Sequence, residues 1–403
     1  MKNQILTPFK SRLRKLRVAM YSHDTMGLGH LRRNLLIAKT LVNSSLNANV
    51  LLINGTNIAT SFAMPRGVDC LSLPGLGKGM DGRYKSRSLV LGLKEIISIR
   101  EKIIFSAMDA YQPDVVIVDN VPRGTNRELD LSLDYLKNRG RTNFILGLRD
   151  ILDEPAVVER EWQRKKNEKI IQDFYDAVWI YGDQNLYDPI QEYHLSKEVE
   201  RKIRFTGYLD RCEQMDSDAL TETGSLDEKL VLPEKYVLCM AGGGQDGSRL
   251  LETFSKATLP SGMHGVILTG PFLPEKTKQI LYTQAGFNPK LKIIEFHPEP
   301  TQLLQDAEAV VAMGGYNTVS EILSFEKRAL IVPRVVPRQE QLIRAERMEK
   351  HGLLDIYHPD KLTPRTMTQW LGKTRPNRAS IRSQIDLKGL DRIPNLLKEV
   401  LVA

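Results

Sequence analysis

Short apolar runs alternate with longer segments of helical spacing from one end of the chain to the other. That alternation predicts strands separated by helices, hence an α/β protein with mostly parallel sheets. In the first half the strand candidates are Arg17–Tyr21, Val50–Ile53, Val115–Asp119, Asn143–Leu148, Ala177–Tyr181 and Ile203–Phe205. In the second half they are Tyr236–Met240, Gly265–Leu268, Lys292–Glu295, Ala309–Met313, Ala329–Val332 and Leu354–Ile356. Six and six predict two similar doubly wound, Rossmann-like domains. Asp210–Leu230 is rich in Asp, Glu, Ser and Thr and poor in apolar residues, so it reads as the linker between residues 1–209 and 231–385. Residues 386–403 then form a C-terminal helix, with Ile393, Leu396, Leu397, Val400 and Leu401 on one face. Leu73–Arg87 is glycine-rich, basic and free of strand signal, which reads as a mobile loop over an acceptor site.

Ligands of doubly wound sheets bind beyond the carboxyl ends of the strands. Two glycine-rich turns stand at such ends in the second half. Ala241-Gly242-Gly243-Gly244-Gln245-Asp246-Gly247 follows Tyr236–Met240, and Gly314-Gly315-Tyr316-Asn317-Thr318-Val319-Ser320-Glu321 follows Ala309–Met313. Glycines let the backbone approach a phosphate, and the N–H groups opening the next helix point at the anion. Asn317 and Thr318 add side-chain donors, and the Glu321 carboxylate suits two ribose hydroxyls. A plain tight turn, or a Thr318–Glu321 capping box, is the simpler account of the same residues.

The Gly-Gly-x-x-Thr-x-x-Glu segment resembles the ribose and phosphate loop of glycosyltransferase family 28. Gly242-Gly243-Gly244-Gln245 is similar to that family's Gly-Gly-Ser-Gln turn, with Gly244 where the family has serine, so Gln245 or Ser248 takes over the phosphate contact. Pro337–Ala345 stands where the family carries an acidic/His-Gln-x-x-Asn-Ala segment. The resemblance implies a GT-B fold, two Rossmann-like domains facing a central cleft. It implies a nucleotide-sugar held by Gly243, Gly244, Gln245, Ser248, Gly314, Gly315, Asn317, Thr318 and Glu321, with Phe296 gripping the base. Glu340 and Gln341 would read the donor sugar, and Arg344 replaces the family's Asn. The implied activity is a metal-independent, inverting transfer from a UDP-sugar to a hydroxyl acceptor, on a lipid-linked or cell-envelope glycan. No cofactor and no metal are expected, because no Asp-x-Asp motif suited to bridging a metal and a diphosphate stands at a strand end.

In the first half, Arg17–Tyr21 runs into Ser22-His23-Asp24-Thr25-Met26-Gly27-Leu28-Gly29-His30-Leu31-Arg32-Arg33. His30 opens the next helix, and an imidazole titrating near neutrality can take a proton from an attacking hydroxyl. Asp24 is the alternative base, and Asp119 either orients His30 or serves as base itself. Gly29, Arg33, Arg149 and Asp150 are expected on the acceptor side, and Asp183 at a further strand end. Helix capping is the competing role for His30, Asp119 and Asp150. Gly27, Gly29, His30 and Arg33 also resemble the Gly-x-Gly-His-x-x-Arg loop of a nucleotide-sugar hydrolase from nonulosonic acid synthesis, so hydrolysis or 2-epimerisation on the same fold is the alternative activity.

Composition narrows the setting. The chain has 403 residues, enough for two domains, and no apolar run approaches a membrane-spanning length. Cys70, Cys212 and Cys239 lie far apart, which fits a reducing cytoplasm rather than a disulfide framework. The net charge of +8 sits in residues 1–205, and the first 100 residues hold 16 Lys and Arg against 4 Asp and Glu. Such a face attracts anions, and with the basic amphipathic stretch over residues 1–17 it reads either as peripheral binding to the inner face of a cell membrane or as a soluble basic surface with a disordered tail. Nucleic acid is the distant alternative, since no binding module and no interleaved aromatics accompany the charge.

Overall fold

The computed structural model describes residues 14–23, 29–56, 62, 64–78, 84–212, 231–297, 300–373 and 380–402. Asp24, Gly27, the basic stretch up to residue 13 and most of the expected linker lie outside the described residues.

Two parallel sheets form the frame. The first runs in the order β3-β2-β1-β6-β7-β8-β9, with β1 Arg17–Ser22, β2 Asn49–Asn54, β3 Val68–Ser72, β6 Val115–Asp119, β7 Asn143–Arg149, β8 Ala177–Tyr181 and β9 Ile203–Phe205. The second runs β12-β11-β10-β13-β14-β15, with β10 Tyr236–Met240, β11 His264–Leu268, β12 Leu291–Ile294, β13 Ala309–Ala312, β14 Ala329–Ile331 and β15 Asp355–Ile356. Both orders double back after three strands, the doubly wound pattern expected of the alternation. The central strands are apolar throughout because helices cover both faces; β6, β8 and β10 are buried at every position.

The first sheet has seven strands where the apolar runs predict six. The addition, β3, is an edge strand in which an exposed Asp69 follows Val68, so it carries only half of a strand's apolar signal. The glycine-rich segment at Leu73–Arg87 is also corrected: it holds an antiparallel pair, β4 Leu76–Lys78 and β5 Tyr84–Ser86, with Leu76 facing Ser86. Arg87, just past β5, lies over the Phe272 ring of the second half, 5.6 Å from its centroid.

The chain ends on its own first half. Helix Gly389–Val402 packs against helix Gly29–Asn43, with Ile393 and Leu397 fully buried and Asn143 donating to the Val400 carbonyl at 3.2 Å. Asp183, expected in the cleft, instead accepts from the Asp386 amide at 2.8 Å and fixes the approach to that helix. Among the described residues no helix is long and apolar enough to cross a membrane.

Candidate active site

A doubly wound sheet has one point at which its strand order reverses, and the carboxyl ends of the two strands there diverge into a crevice. In the first sheet those strands are β1 and β6, ending at Ser22 and Asp119. In the second they are β10 and β13, which run into the two glycine turns. The two crevices face each other: Asn317, from the second helix start, donates to the Gly29 carbonyl at the first, at 2.7 Å.

On the first side, His30 is the second residue of helix Gly29–Asn43, so it does not cap it. Its Nδ1 lies 3.2 Å from Asp119 Oδ2 and 3.0 Å from Arg33 Nη2. Arg33 reaches both Asp119 oxygens at 2.6 Å. One ring nitrogen cannot both donate to the carboxylate and accept from the guanidinium. The carboxylate is the stronger claim, which puts the proton on Nδ1 and leaves Nε2 as the acceptor. Burial pushes the Asp119 carboxyl up, but Arg33 and then His30 more than offset it and hold it well below the usual range, so it is ionised. Arg33 is 2% exposed and faces inward on Asp119, so the acceptor contact expected of it is corrected to a structural one.

Asp150 is corrected in the same way. It caps no helix and binds Arg344 across the interface, at 2.6 Å from Nη2 and 2.9 Å from Nε, while Tyr208 donates to it at 2.8 Å. Arg344 also donates to the Gly314 carbonyl at 2.9 Å, fastening the second glycine turn to the first half of the chain. Tyr316, in that turn, lies between Arg33 and Arg344, whose guanidinium carbons stand 5.2 and 5.8 Å from its ring centroid, and it stacks on Tyr208. Neither Tyr316 nor the bridging role of Arg344 is visible in the sequence. Arg149, at the end of β7, is different. Its Nε is buried with no hydrogen-bond partner among the described residues, and burial holds its pKa below the ordinary arginine value.

On the second side the glycines are required. A Cβ on Gly244, at φ +90°, would come within 2.5 Å of the Thr269 carbonyl oxygen, and one on Gly314 within 2.9 Å of that of Gln341. Gln245 is exposed beside Gly243. Ser248 opens helix Ser248–Ser255 and accepts from Thr277 at 2.9 Å. Gly315 caps helix Tyr316–Ser324, so Thr318 and Glu321 form no capping box. Glu321 is not a free carboxylate: Oε1 binds Arg32 at 2.8 Å and Arg211 at 3.3 Å, and Oε2 is buried without a partner. Glu340 likewise pairs with Arg334 through Oε1 and leaves Oε2 buried and unpartnered, while Gln341 accepts from the Arg334 amide at 3.0 Å. Phe296 is half-buried just beyond β12. Among the described residues no cluster of metal-ligating side chains comes together.

His23 follows β1 and lies beside His30, with ring centroids 4.9 Å apart. Burial, and then His30, lower its pKa from 6.5 to about 3, so it is neutral in the fold. Between those values the unfolded chain binds the extra proton, so stability rises with pH there and is lost as pH falls below 6.5. Going from pH 7 to 5 should cost about 2 kcal/mol through this group alone. Asp119 acts below that window, from the ordinary aspartate range downward. Denaturant unfolding at both pH values is therefore expected to show a smaller acid loss for His23→Gln than for the wild type; equal losses would remove His23 from the account.

Three comparisons bear on this site. Residues 237–396 match the glycosyltransferase family 28 C-terminal domain. An uncharacterized glycosyltransferase of Methanosarcina acetivorans is 24% identical over 331 residues, covering 76% of this chain and 77% of that one. Among solved structures, Acinetobacter baumannii MurG superposes with a TM-score of 0.55 at 14% identity, over 95% of this chain and 99% of that one. The UDP-GlcNAc 2-epimerase of Methanocaldococcus jannaschii does so with a TM-score of 0.54 at 14% identity, over 96% and 100%.

Proposed function

We propose that this chain, a GT-B glycosyltransferase of the family 28 type, moves a sugar from a UDP-sugar to a hydroxyl acceptor by a single inverting displacement. The observation that carries the reading is the meeting of the two crevices. A histidine with its free nitrogen turned from an ionised carboxylate stands on one side. Two glycine turns opening helices stand on the other, joined to it through Asn317 and Gly29.

In this reading the acceptor oxygen attacks the anomeric carbon while His30 Nε2 takes its proton. Asp119, held ionised by Arg33, stabilises the imidazolium. The bond from the anomeric carbon to the diphosphate oxygen breaks, and the charge leaves on UDP. The N–H groups after Gly243–Gly244 and Gly315 meet that charge at two helix starts, each contributing roughly 0.3–2 kcal/mol, and no metal ion is required. Gln245 and Ser248 approach the phosphates, Phe296 packs on the base, and Glu321 Oε2 accepts a ribose hydroxyl. Glu340 and Gln341 read the sugar.

A hydrolase or 2-epimerase is the second reading, favoured by the likeness to the UDP-GlcNAc 2-epimerase. A panel of UDP-sugars separates them. Transfer requires UDP release that depends on added acceptor and on no divalent metal. Release to water alone, or an epimerised sugar without release, would replace the proposal.

Two substitutions should dissociate the halves of the site. His30→Ala is expected to lower kcat roughly 10²–10⁴-fold with UDP-sugar Kd nearly unchanged. Glu321→Ala is expected to weaken UDP by about 1–3 kcal/mol in calorimetry. A His30→Ala protein turning over within a few-fold of wild type moves the base to another group.

The acceptor is read as membrane-borne, because of the 16 to 4 basic excess in the first 100 residues and the exposed Leu89 and Val90 beside Lys85. The full chain should float with anionic vesicles at low salt and not with neutral ones; equal recovery with both removes the membrane.

A further inference from the structure

Arg149 makes no ion pair and no side-chain hydrogen bond among the described residues. Arg149 closes β7, the strand beside the one that ends at Asp119. Its carboxylate neighbours are engaged elsewhere. Asp150, next in the chain, turns to Arg344 and Tyr208. Asp119 is engaged by Arg33, and Glu340 Oε1 by Arg334. Glu340 faces Arg149 closely enough to act on it electrostatically, yet no ion pair joins them among the described residues. Each is left with a buried atom that bonds to nothing, Nε of Arg149 and Oε2 of Glu340.

Arg149 is partly buried with its Nε fully so, and a guanidinium held out of water without an ion pair is costly unless a ligand completes it. The guanidinium fork matches the two oxygens of a carboxylate or phosphate, which a lysine would not. A group that meets both residues has a hydroxyl to donate to Glu340 and a carboxylate or phosphate to accept from Arg149. The donor's diphosphate is already provided for at the two glycine turns of the second sheet, whereas Arg149 belongs to the first sheet, beside the His30–Asp119 pair.

We infer that Arg149 receives a carboxylate or phosphate carried by one of the two substrates, distinct from the diphosphate of the donor. This rests on the reading of the cleft as a nucleotide-sugar transferase site. The acid is either on the transferred sugar or on the acceptor.

Calorimetry with the full chain distinguishes the sources. UDP-glucuronate and UDP-glucose differ only by the sugar's carboxylate and test the donor arm. Inorganic phosphate, titrated with and without saturating UDP, tests the acceptor arm. In one arm the wild type should favour the anion roughly ten- to hundred-fold, over UDP-glucose or over the phosphate binding of Arg149→Met. Arg149→Met should abolish the preference, Arg149→Lys restore part of it, and UDP itself bind all three within about two-fold. Removing an uncompensated cation should also raise the melting temperature of the ligand-free Arg149→Met protein. The inference is overturned if neither arm prefers the anion, or if Arg149→Met weakens UDP as much as the charged ligands. A lower melting temperature with unchanged ligand binding would also overturn it, as the mark of a structural arginine. Failure of the wild type to bind UDP would sink the proposed function, while phosphate titrated alone would still decide Arg149.

Discussion

The buried pair between Asp150 and Arg344 holds the two halves of this chain in register. Both side chains are removed from water, 194 positions apart, and the arginine continues to the Gly314 carbonyl. Such a pair adds little net stability over an apolar one, but removing a single partner strands a buried charge at a cost of about 3–5 kcal/mol. It therefore acts as a registry device: few relative orientations of the two sheets satisfy it. Tyr316 makes the condition stricter, because its ring must fit between Arg33 of one half and Arg344 of the other. Arg33 is in turn bound to Asp119, which orients His30. The chain of contacts thus runs from the interdomain latch to the candidate base without a break.

Around that latch the weaker pairs follow a pattern. Arg338 binds Asp153 and Glu161, and Arg347 binds Glu192, all reaching from the Pro337–Lys350 region to the first half. Arg347 and Glu192 are both about one-third exposed, so that pair is worth roughly 0–1 kcal/mol and is screened by salt. Asp153 is buried and also accepts from the Gln339 amide, so its pair with Arg338 is screened less. These pairs set how readily the halves separate, while the buried pair sets where they come to rest. Glu340 and Gln341 lie between those arginines in the chain, so the residues proposed to read the sugar belong to the segment that binds the first half.

Much of the frame was legible because parallel strands covered on both faces are short, continuous apolar runs, and β6, β8, β9 and β10 fall on the residues that those runs mark. The misses have local causes. Asp69 and Ser72 dilute β3, and Gly77 within β4 together with Gly75 before it gives a short strand the appearance of a loop. The glycine turns and His30 could be located by strand-end logic, which needs only local sequence. Partner choice is not local. Arg33 and Asp150 looked like free cleft residues, and Arg344 like a departure from a family motif, because nothing near them in the chain announces Asp119, Tyr208 or one another. Tyr316 occupies a variable position of the glycine motif and carries no signal of its own.

The same accounting of partners explains why two open atoms on the donor side and one on the other carry more meaning than the many satisfied ones. Arg33, Arg344 and Arg334 each meet a carboxylate, and those pairs hold the charges of the arginines in place. Among the buried side-chain atoms without a hydrogen-bond partner in the described residues are Glu321 Oε2 and Glu340 Oε2, two acceptors, and Arg149 Nε, a donor on an arginine that makes no ion pair there. Unpaired buried polar atoms are rare in folded proteins because each costs about 1–3 kcal/mol. With the latch already closed, the packing of the two halves leaves these three atoms unsatisfied. A ligand with hydroxyls for the two carboxylates and an acid for the guanidinium can satisfy them, and a nucleotide-sugar with an anionic partner group has that combination.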